Sequence, residues 1–412
     1  MDKKNVKENS VYWTKFYGAK VHWAIVGLAA MPSWAAVSPA PYTTELGIDI
    51  IPQVSTSLQY NDNVTNELRS GDQISSSVFV ITPSVRAVAE RGKQTYSAEY
   101  LLSSGTYFSS SEDNYLDHRI NLDAEWDINV RNDLYINYEY NLSHEERGTE
   151  LTEGVPNAFD APLEYSTNLI ELTYGYGADG ARGRIEGTIG YSDRRYQNFT
   201  ERTRVRDYDQ NHYEAILYVR VRPATRVFAN ILKEDRTYKQ QATNQPDLSS
   251  DTIFYYGGVE WDITEKTTGR VRLGLQDKQF DDSGREDFDG TSWDANLTYL
   301  PKRHSRLEFE TSQRAKDPDQ LGDFIEENRY AVSWRHFWRQ RFSTLAGYTY
   351  LDEEYTGDNR DDETNLWNLE ATYDLRRWVS LSLGWRYNDK ESTQDGIGHQ
   401  QHIWYLTADV SL

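Results

Sequence analysis

The stretch "NLDAEWDINVRNDLYINYEYNLSHEE", residues 121–146, decides the fold class of this chain. Before the turn at 130–133, the apolar residues Leu122, Ala124 and Trp126 alternate with charged or amide side chains, and the same alternation resumes after the turn. Successive side chains of a β-strand point to opposite faces, so this period of two predicts a hairpin with one apolar face and one polar face.

The composition shows that aromatic residues are unusually frequent for so polar a chain. The 412 residues carry a net charge of -21 and include 30 Tyr and 12 Trp against only 2 Met. Mean hydropathy is -0.79. Tyr and Trp gather where an apolar phase meets water, which indicates a protein at such a boundary. Cysteine is absent, which excludes disulfides and thiolate chemistry.

The N-terminus has the features of a secretory signal peptide spanning residues 1–35. Five lysines precede an apolar run at 21–31. Ser33 and Ala35 supply the small residues needed for cleavage after Ala35. The apolar run is too short for a spanning helix, which needs about 20 residues. Cleavage would leave a chain with a net charge of -24, because the segment carries five lysines and two acidic residues.

The alternation of residues 121–146 repeats along the rest of the chain and predicts eighteen strands. No segment with helical periodicity interrupts them. The predicted strands lie near 47–60, 76–90, 94–109, 115–128, 133–146, 165–178, 182–196, 207–221, 225–239, 251–263, 268–281, 289–300, 305–316, 325–337, 341–354, 363–375, 378–390 and 399–412.

The connections alternate between short turns and longer, mostly acidic loops. The short turns include 91–93, 130–133, 177–181, 222–225, 264–267, 301–304, 339–341 and 376–378. An even number of strands with short turns at one end and long loops at the other is typical of an outer-membrane β-barrel. We therefore predict an all-β, transmembrane antiparallel barrel over 47–412, preceded by a short periplasmic segment at 36–46, with both termini on the periplasmic side. The alternative is a soluble β-solenoid or sandwich with one buried face, which does not explain this alternation.

The apolar face of each strand is predicted to contact lipid, because a sheet can cross hydrocarbon only as a closed barrel. The predicted outward rows are Val271, Leu273 and Leu275; Trp293, Ala295, Leu297 and Tyr299; Trp367, Leu369, Ala371 and Tyr373; and Trp404, Leu406, Ala408, Val410 and Leu412. Trp126, Trp261, Trp334 and Trp385 lie near strand ends and suit the aromatic girdles at the lipid headgroups. The last strand, with its apolar terminal residue, resembles the signal that the barrel assembly machinery recognises.

The polar face is predicted to line the lumen. The pore-lining candidates are Arg119, Asp123, Glu125, Tyr135, Glu139, Glu171, Arg184, Glu186, Glu214, Tyr218, Arg220, Tyr256, Glu260, Arg270, Arg272, Glu308, Glu310, Arg335, Glu370 and Arg386. Phe254 and Tyr348 are further aromatic candidates for the inner face. The alternative for each charged candidate is that it pairs with a neighbouring strand and only keeps the wall hydrated.

A barrel of eighteen strands is wide enough to hold an aqueous channel. The longest loop, 146–164, is not expected to fold deep inside as a constriction, and no plug domain precedes the first strand. A wide channel without a plug suits a bulky or extended solute. Charges of both signs among tyrosines suit a hydrated sugar chain, whose rings could stack on tyrosine faces.

The sequence provides little support for an enzyme. It has no zinc-protease motif and no nucleophile elbow, so we expect no catalytic residues, no metal and no cofactor. Asp123, Glu125 and Asp127 share one face of a strand, and paired carboxylates can hydrolyse glycosides, but a row of lumen charges is the simpler explanation. The acidic segment 358–363 could hold Ca²⁺ near lipopolysaccharide, with solvated loop charge as the alternative.

The first hairpin carries a family resemblance. The segments "PQVSTSLQYNDNV" (52–64) and "ITPSV" (81–85) resemble the N-terminal hairpin of the putative β-barrel porin 2 family, with Tyr60 beginning the turn motif and Thr82-Pro83 in the second strand. The resemblance implies an outer-membrane barrel of Wzx/Wzy-type exopolysaccharide or capsule systems. It also implies a partner, a periplasmic polysaccharide-export protein that lacks its own membrane-spanning helix.

The function expected from the sequence is passage of an exopolysaccharide or capsular polysaccharide to the cell surface. The alternatives are a general or sugar-specific diffusion porin and, with less support, an outer-membrane enzyme or an adhesin. The expected partners are the polysaccharide, the periplasmic export protein and the lipid and lipopolysaccharide of the outer membrane, with no nucleic acid. Several short turns are basic, and they could meet an acidic partner or an anionic polymer, or simply be solvated.

Overall fold

The structure is a computed structural model that describes residues 40–68, 71–178, 180–243, 245–264 and 266–411. The predicted signal peptide at 1–35, the first residues of the predicted periplasmic segment and the terminal Leu412 lie outside the described residues. In the part of the chain that is described, no helix is long and apolar enough to cross a membrane.

Within its described residues the chain forms eighteen long strands in sequence order, preceded by a two-residue strand. The strands are β1 Tyr42–Thr43, β2 Ile48–Asn61, β3 Ser76–Arg91, β4 Gln94–Tyr107, β5 Tyr115–Asn129, β6 Asn132–Glu145, β7 Leu163–Tyr176, β8 Gly183–Tyr196, β9 Tyr208–Arg222, β10 Thr225–Tyr238, β11 Ser250–Thr264, β12 Thr267–Phe280, β13 Phe288–Lys302, β14 Ser305–Lys316, β15 Phe324–Arg339, β16 Phe342–Thr356, β17 Arg360–Arg376, β18 Val379–Ser392 and β19 His399–Ser411. In the described parts of the long loops lie one short helix, α1 at Thr200–Thr203, and four 3₁₀ turns. The predicted strand bounds are confirmed to within three residues, the largest difference being the start of β17 at Arg360.

Each long strand pairs antiparallel with its neighbours in the sequence, and the last strand closes on the first. The closing pair runs from Ile403 opposite Asn61 to Ser411 opposite Gln53. Closure leaves no unpaired sheet edge, which is the condition for a sheet to cross hydrocarbon. The predicted fold, an antiparallel transmembrane barrel of eighteen strands, is confirmed.

The two faces of each strand differ in the way that the alternation predicts. On β12, Leu273 is 63% exposed, whereas the adjacent Arg272 is only 3% exposed. The exposed rows on β12, β17 and β19 include Leu275, Leu369 and Leu406. The outer face is therefore apolar and the inner face polar, so the wall has lipid-facing and water-facing surfaces.

Three of the tryptophans predicted near the lipid headgroups, Trp126, Trp334 and Trp385, lie on the outer face beside other aromatic rings. The indole of Trp126 donates a hydrogen bond to the Tyr96 hydroxyl at 2.9 Å. The ring of Trp385 lies 6.1 Å from that of Trp404, and Trp334 is exposed near the end of β15.

The prediction that Tyr348 faces the lumen is wrong. On β16 it lies directly opposite the exposed Trp367, and the two ring centroids are 4.5 Å apart on the outer face. The sequence of β16 has apolar residues on both faces, including the inward Leu345 opposite Glu370, so its alternation is ambiguous. Only the register with β17 decides which face is outside.

Glycines on the inner face make room for large side chains from the next strand. A Cβ on Gly384 would lie 2.1 Å from the Tyr405 ring, and one on Gly190 would lie 2.1 Å from the His212 ring. The Tyr405 hydroxyl thereby crosses β18 and donates to Glu370 at 3.2 Å. Glycine is needed at these positions because the ring occupies the volume that a side chain would fill.

Candidate functional site

The twenty predicted pore-lining residues all lie on strands, on the face opposite the exposed apolar rows. The buried ones are Arg184, Glu186, Tyr218, Tyr256, Arg270, Arg272 and Glu370. The half-buried ones are Asp123, Glu125, Tyr135, Glu139, Glu171, Glu214, Arg220, Glu260, Glu308, Arg335 and Arg386. Arg119 and Glu310 are exposed. Their contact with a passing solute stays a prediction.

On one side of the inner wall, charged side chains of β6 and β8 form ion pairs with one another. The Arg184 guanidinium is 2.7 Å from the Asp133 carboxylate and 2.7 Å from that of Glu186. Asp133 is on β6 and Arg184 on β8, so the pair spans β7, where Gly175 leaves space for the guanidinium. For this cluster the structure favours the alternative in which wall charges neutralise one another.

Arginines cover the aromatic rings of the β9–β12 wall. The guanidinium carbon of Arg226 lies 4.5 Å from the Tyr218 ring centroid, and that of Arg272 lies 4.4 Å from the Tyr256 centroid. Tyr218 is only 2% exposed. The expectation that these tyrosines offer free faces to sugar rings is therefore wrong for this wall, because both rings are buried and each already has an arginine over one face.

The carboxylate of Asp123, considered above as half of an acid pair, is held by four hydrogen-bond donors. Asn137 donates to it at 2.9 Å, Asn121 at 2.8 Å and Ser97 at 3.1 Å, and the Tyr135 hydroxyl is the fourth donor. A carboxylate with this many donors is held in place by the wall, which fits a structural role.

The inner wall also carries more exposed ion pairs, on β14–β15 and on β5–β6. Arg306 and Glu308 on β14 are 2.6 Å apart, with side chains 50% and 41% exposed. Arg329 pairs with Glu310 at 3.0 Å, and Arg119 with Glu139 at 3.0 Å. Water reaches these groups, so they offer hydrogen bonds to a solute without presenting a net charge.

The loop between β6 and β7, residues 146–162, folds across the outer mouth of the barrel, and we call it the mouth loop. Its Glu153 carboxylate forms ion pairs with Arg360 on β17 and Lys390 on β18, and all three side chains are largely buried. Five strands separate β6 from β18 along the shorter way round the wall. These contacts lie at the outer ends of β17 and β18, so they place the loop across the mouth, and the expectation that it does not fold deep inside the barrel stays a prediction.

A neighbouring part of the mouth also holds this loop, through Gln320 between β14 and β15. The Gln320 side-chain amide donates to the carbonyl oxygens of Glu153 at 2.8 Å, Glu150 at 3.1 Å and Leu151 at 3.3 Å. The guanidinium of Arg206, in the loop before β9, donates in turn to the carbonyl of Gln320 at 2.8 Å. Loops from several sides of the barrel thus meet over the lumen.

Two carboxylates of the β14–β15 loop have opposite electrostatic environments. Burial acts against ionisation of Asp317, but Lys278 at 2.6 Å and Arg236 at 2.5 Å hold the pKa of Asp317 below its usual range. Burial, reinforced by the negative charge of Glu150, raises the pKa of Asp319 to about 6. The surroundings of this loop therefore favour the charged form of Asp317 and disfavour the charged form of Asp319.

The Glu153 pairs were not predicted from the sequence. The loop reads as a polar, acidic segment, and its charge partners lie more than 200 residues later in the chain. One signal was present. Leu151 and Phe159 are apolar, and the buried Phe159 packs in a cluster with Leu163 and Tyr196. Apolar residues in a long loop indicate a loop with its own packed structure.

A protein-family model matches this chain over nearly the whole barrel. The family model described as "Putative beta-barrel porin 2" matches residues 49–412. The chain belongs to this family. The porin is thus a barrel of the outer membrane, and the resemblance of its first hairpin to the family is confirmed.

Solved structures similar to this porin are outer-membrane barrels at very low sequence identity. Pseudomonas aeruginosa OccK2 (OpdF) is 9% identical, with a TM-score of 0.50, and the match covers 88% of this chain and 98% of that one. Pseudomonas aeruginosa OpdO is 12% identical over 89% and 97% of the two chains, with a TM-score of 0.47. A bacterial polysaccharide outer-membrane secretin is 8% identical over 88% and 97%, with a TM-score of 0.41. These matches bear on the fold alone, and no curated protein matches the chain.

Proposed function

We propose that this porin is the outer-membrane conduit for an exopolysaccharide or capsular polysaccharide. The observation that carries the proposal is the inner wall, where exposed charges such as Arg306 and Glu308 are already paired. Such a wall offers many weak hydrogen bonds and no single strong site. A polymer that contacts the wall repeatedly must leave each contact easily, so weak repeated contacts suit translocation.

The family resemblance supports the same class of solute. It implies a chain that works beside Wzx/Wzy-type polysaccharide synthesis, with a periplasmic polysaccharide-export protein as the partner that delivers the polymer. The signal peptide would be removed on export, and the barrel assembly machinery would insert the chain into the outer membrane. No covalent chemistry is part of the proposal, and the conduit acts through pore size, wall hydration and control of its mouth.

The mouth loop adds a gate to the proposal. With Glu153 bound to Arg360 and Lys390, the loop lies across the path of a polymer. Transport then requires the loop to release its partners, and closure between transport events protects the periplasm. The polymer or its periplasmic partner would supply the interaction that favours the open state.

A diffusion porin for small solutes is the second candidate, and the inward-folded mouth loop favours it. A loop that narrows a barrel selects small solutes by size, and no polymer is needed to explain it. In that case passage would not require release of the Glu153 ion pairs.

Deletion of the gene in its native host separates the two candidates. We expect loss of surface polysaccharide, with polymer retained in the periplasm, and restoration by the wild-type gene. Liposome swelling with the purified porin should be slow for mono- and disaccharides while the mouth is closed. Normal surface polysaccharide in the deletion strain, together with rapid swelling in small sugars, would establish the diffusion porin instead.

A further inference from the structure

The short periplasmic turns divide into a strongly basic half and a nearly neutral half. The turns at 91–93, 302–304, 339–341 and 376–378 contain eight basic residues and no acidic one. The turns at 130–133, 177–182, 222–225 and 264–267 contain four basic and three acidic residues, a net charge of +1. The basic turns belong to β3–β4, β13–β14, β15–β16 and β17–β18, which are neighbours around the wall once β19 closes on β2.

We call these four turns the basic arc. Its basic residues are Arg91, Lys93, Lys302, Arg303, Arg339, Arg341, Arg376 and Arg377, and all of them are exposed. Among the described residues none of these side chains forms an ion pair. The carboxylates at the same end of these neighbouring strands, Glu45, Asp49, Glu90, Asp374 and Asp409, reduce the net charge of this sector from +8 to +3. At the outer mouth, by contrast, Arg147, Arg360 and Lys390 are all paired with carboxylates.

Two further arginines, on strands that carry basic turns, lie inside the barrel. Arg306 on β14 and Arg335 on β15 are directly opposite each other on the inner face. Like charges in this arrangement destabilise a sheet. Arg306 has Glu308 at 2.6 Å, whereas Arg335 forms no ion pair within the described residues. Arg335 lies about 13 Å along β15 from Arg339, so the unpaired positive charge extends from the turns into the barrel.

The outer end of the barrel has the opposite charge. The nine long loops, which connect β2–β3 through β18–β19, contain 21 acidic and seven basic residues, a net charge of -14. A negatively charged chain would be attracted at the periplasmic end and repelled at the outer end. The gradient thus favours entrance from the periplasm and opposes retention outside.

We propose that the transported polymer is an anionic polysaccharide and that the basic arc binds its acidic groups as it enters. This inference rests on the proposed function and specifies its substrate class. An acidic protein docked on the rim would contact the turns but would not reach Arg335 inside the barrel. Anionic lipid headgroups surround the whole barrel, so they do not account for basic turns confined to one half. A polyanion that enters the lumen meets both the arc and Arg335.

Titration of the purified porin in phosphatidylcholine nanodiscs tests the inference. The probes are an oligogalacturonate and a maltodextrin of the same length. We expect the oligogalacturonate to bind and the maltodextrin to bind much more weakly. Added salt should lower the affinity of the porin for oligogalacturonate, because salt screens exposed charges. A variant with Lys302→Gln, Arg303→Gln, Arg339→Gln and Arg341→Gln should bind it about tenfold more weakly, a loss of about 1.4 kcal/mol.

The matched control removes four positive charges from the other half of the rim, through Arg131→Gln, Arg182→Gln, Arg222→Gln and Lys266→Gln. It should bind oligogalacturonate like the wild type. Equal losses in both variants, no loss in the arc variant or equal binding of maltodextrin would each overturn the inference. Loss of oligogalacturonate binding in nanodiscs that contain phosphatidylglycerol would also overturn it, since the arc would then be a lipid site.

The outcome for the proposed function is measured separately, by surface polysaccharide in the deletion strain. If deletion stops polysaccharide export while the arc variant exports normally, the proposed function stands and the inference of an anionic substrate is wrong. If deletion leaves export unchanged, the proposed function is wrong whatever the titration shows.

Discussion

Glu153 and Arg360 form an ion pair across the outer mouth of the barrel although 207 residues separate them in the sequence. Arg360 also holds Asp362 at 3.0 Å, and Lys390 contacts both Glu153 and Asp362. The two basic residues therefore keep a partner when Glu153 leaves. Opening costs the Glu153 contacts without leaving an unpaired buried cation, and this makes the arrangement suitable for a gate.

The first prediction is that Glu153→Gln increases the open probability of the channel. Hydrogen bonds to charged groups contribute about 2 kcal/mol, so their weakening should raise the ratio of open to closed states about 30-fold. Single-channel recording in planar bilayers measures this ratio. Asp160→Asn is the control, because it removes one negative charge from the same loop at an exposed position. Similar recordings from both variants would show that the Glu153 pairs do not hold the loop.

The second prediction uses the absence of native cysteine. Because the Gln320 amide contacts the Leu151 carbonyl at 3.3 Å, Leu151→Cys combined with Gln320→Cys should form a cross-link with a short thiol reagent. The cross-linked porin should lose both its open state and polysaccharide export. If the two cysteines are joined by a disulfide instead, reducing it should restore the open state and polysaccharide export. Each single cysteine variant is the control, and export through the cross-linked barrel would contradict a gating role for the loop.

The third prediction concerns pH. The pKa of Asp319 is raised to about 6 by burial beside Glu150, with Glu353 and Glu153 adding to the effect and Lys316 opposing it. The closed mouth therefore binds a proton more tightly than the open one, where Asp319 returns toward an ordinary pKa near 4. Closure should be most stable below about pH 4, weaken up to about pH 6 and change little above it.

Asp319→Asn should remove most of this pH dependence, as judged by open probability between pH 4 and 7. The lowered pKa of Asp317 acts in the opposite sense and only at lower pH, since closure loses that contribution as the pH falls through its folded value. An unchanged pH profile in the Asp319→Asn variant would assign the effect to another group.

The fourth prediction concerns the stability of the wall. In the Gly384→Ala variant the new methyl group would meet the Tyr405 ring, and the Tyr405 bond to Glu370 would be strained or lost. Overpacking of this kind costs about 1–3 kcal/mol of unfolding free energy. Gly187→Ala is the control, because a Cβ there meets nothing within 4 Å. Urea unfolding of the barrel in lipid vesicles should separate the variants, and equal midpoints would show that Tyr405 adjusts freely.

The strands and most of their faces could be predicted from the sequence because both follow from a local rule. A strand with Leu273 and Leu275 on one side and Arg270 and Arg272 on the other has one favourable orientation in a membrane. The rule fails where both faces are alike, and Tyr348 was misassigned for that reason. Its orientation depends on pairing with Trp367 in the next strand.

The sequence by itself determined a closed wall of eighteen strands, the side of it that faces lipid and the basic character of the periplasmic turns. Those features follow from the period of two and from charge, which each segment carries locally. Only the tertiary structure decided that the mouth loop crosses the outer end of the barrel and that the tyrosines of the β9–β12 wall are covered by arginine. Both depend on contacts between segments far apart in the chain, such as Glu153 with Arg360, and these segments meet only after the barrel has closed.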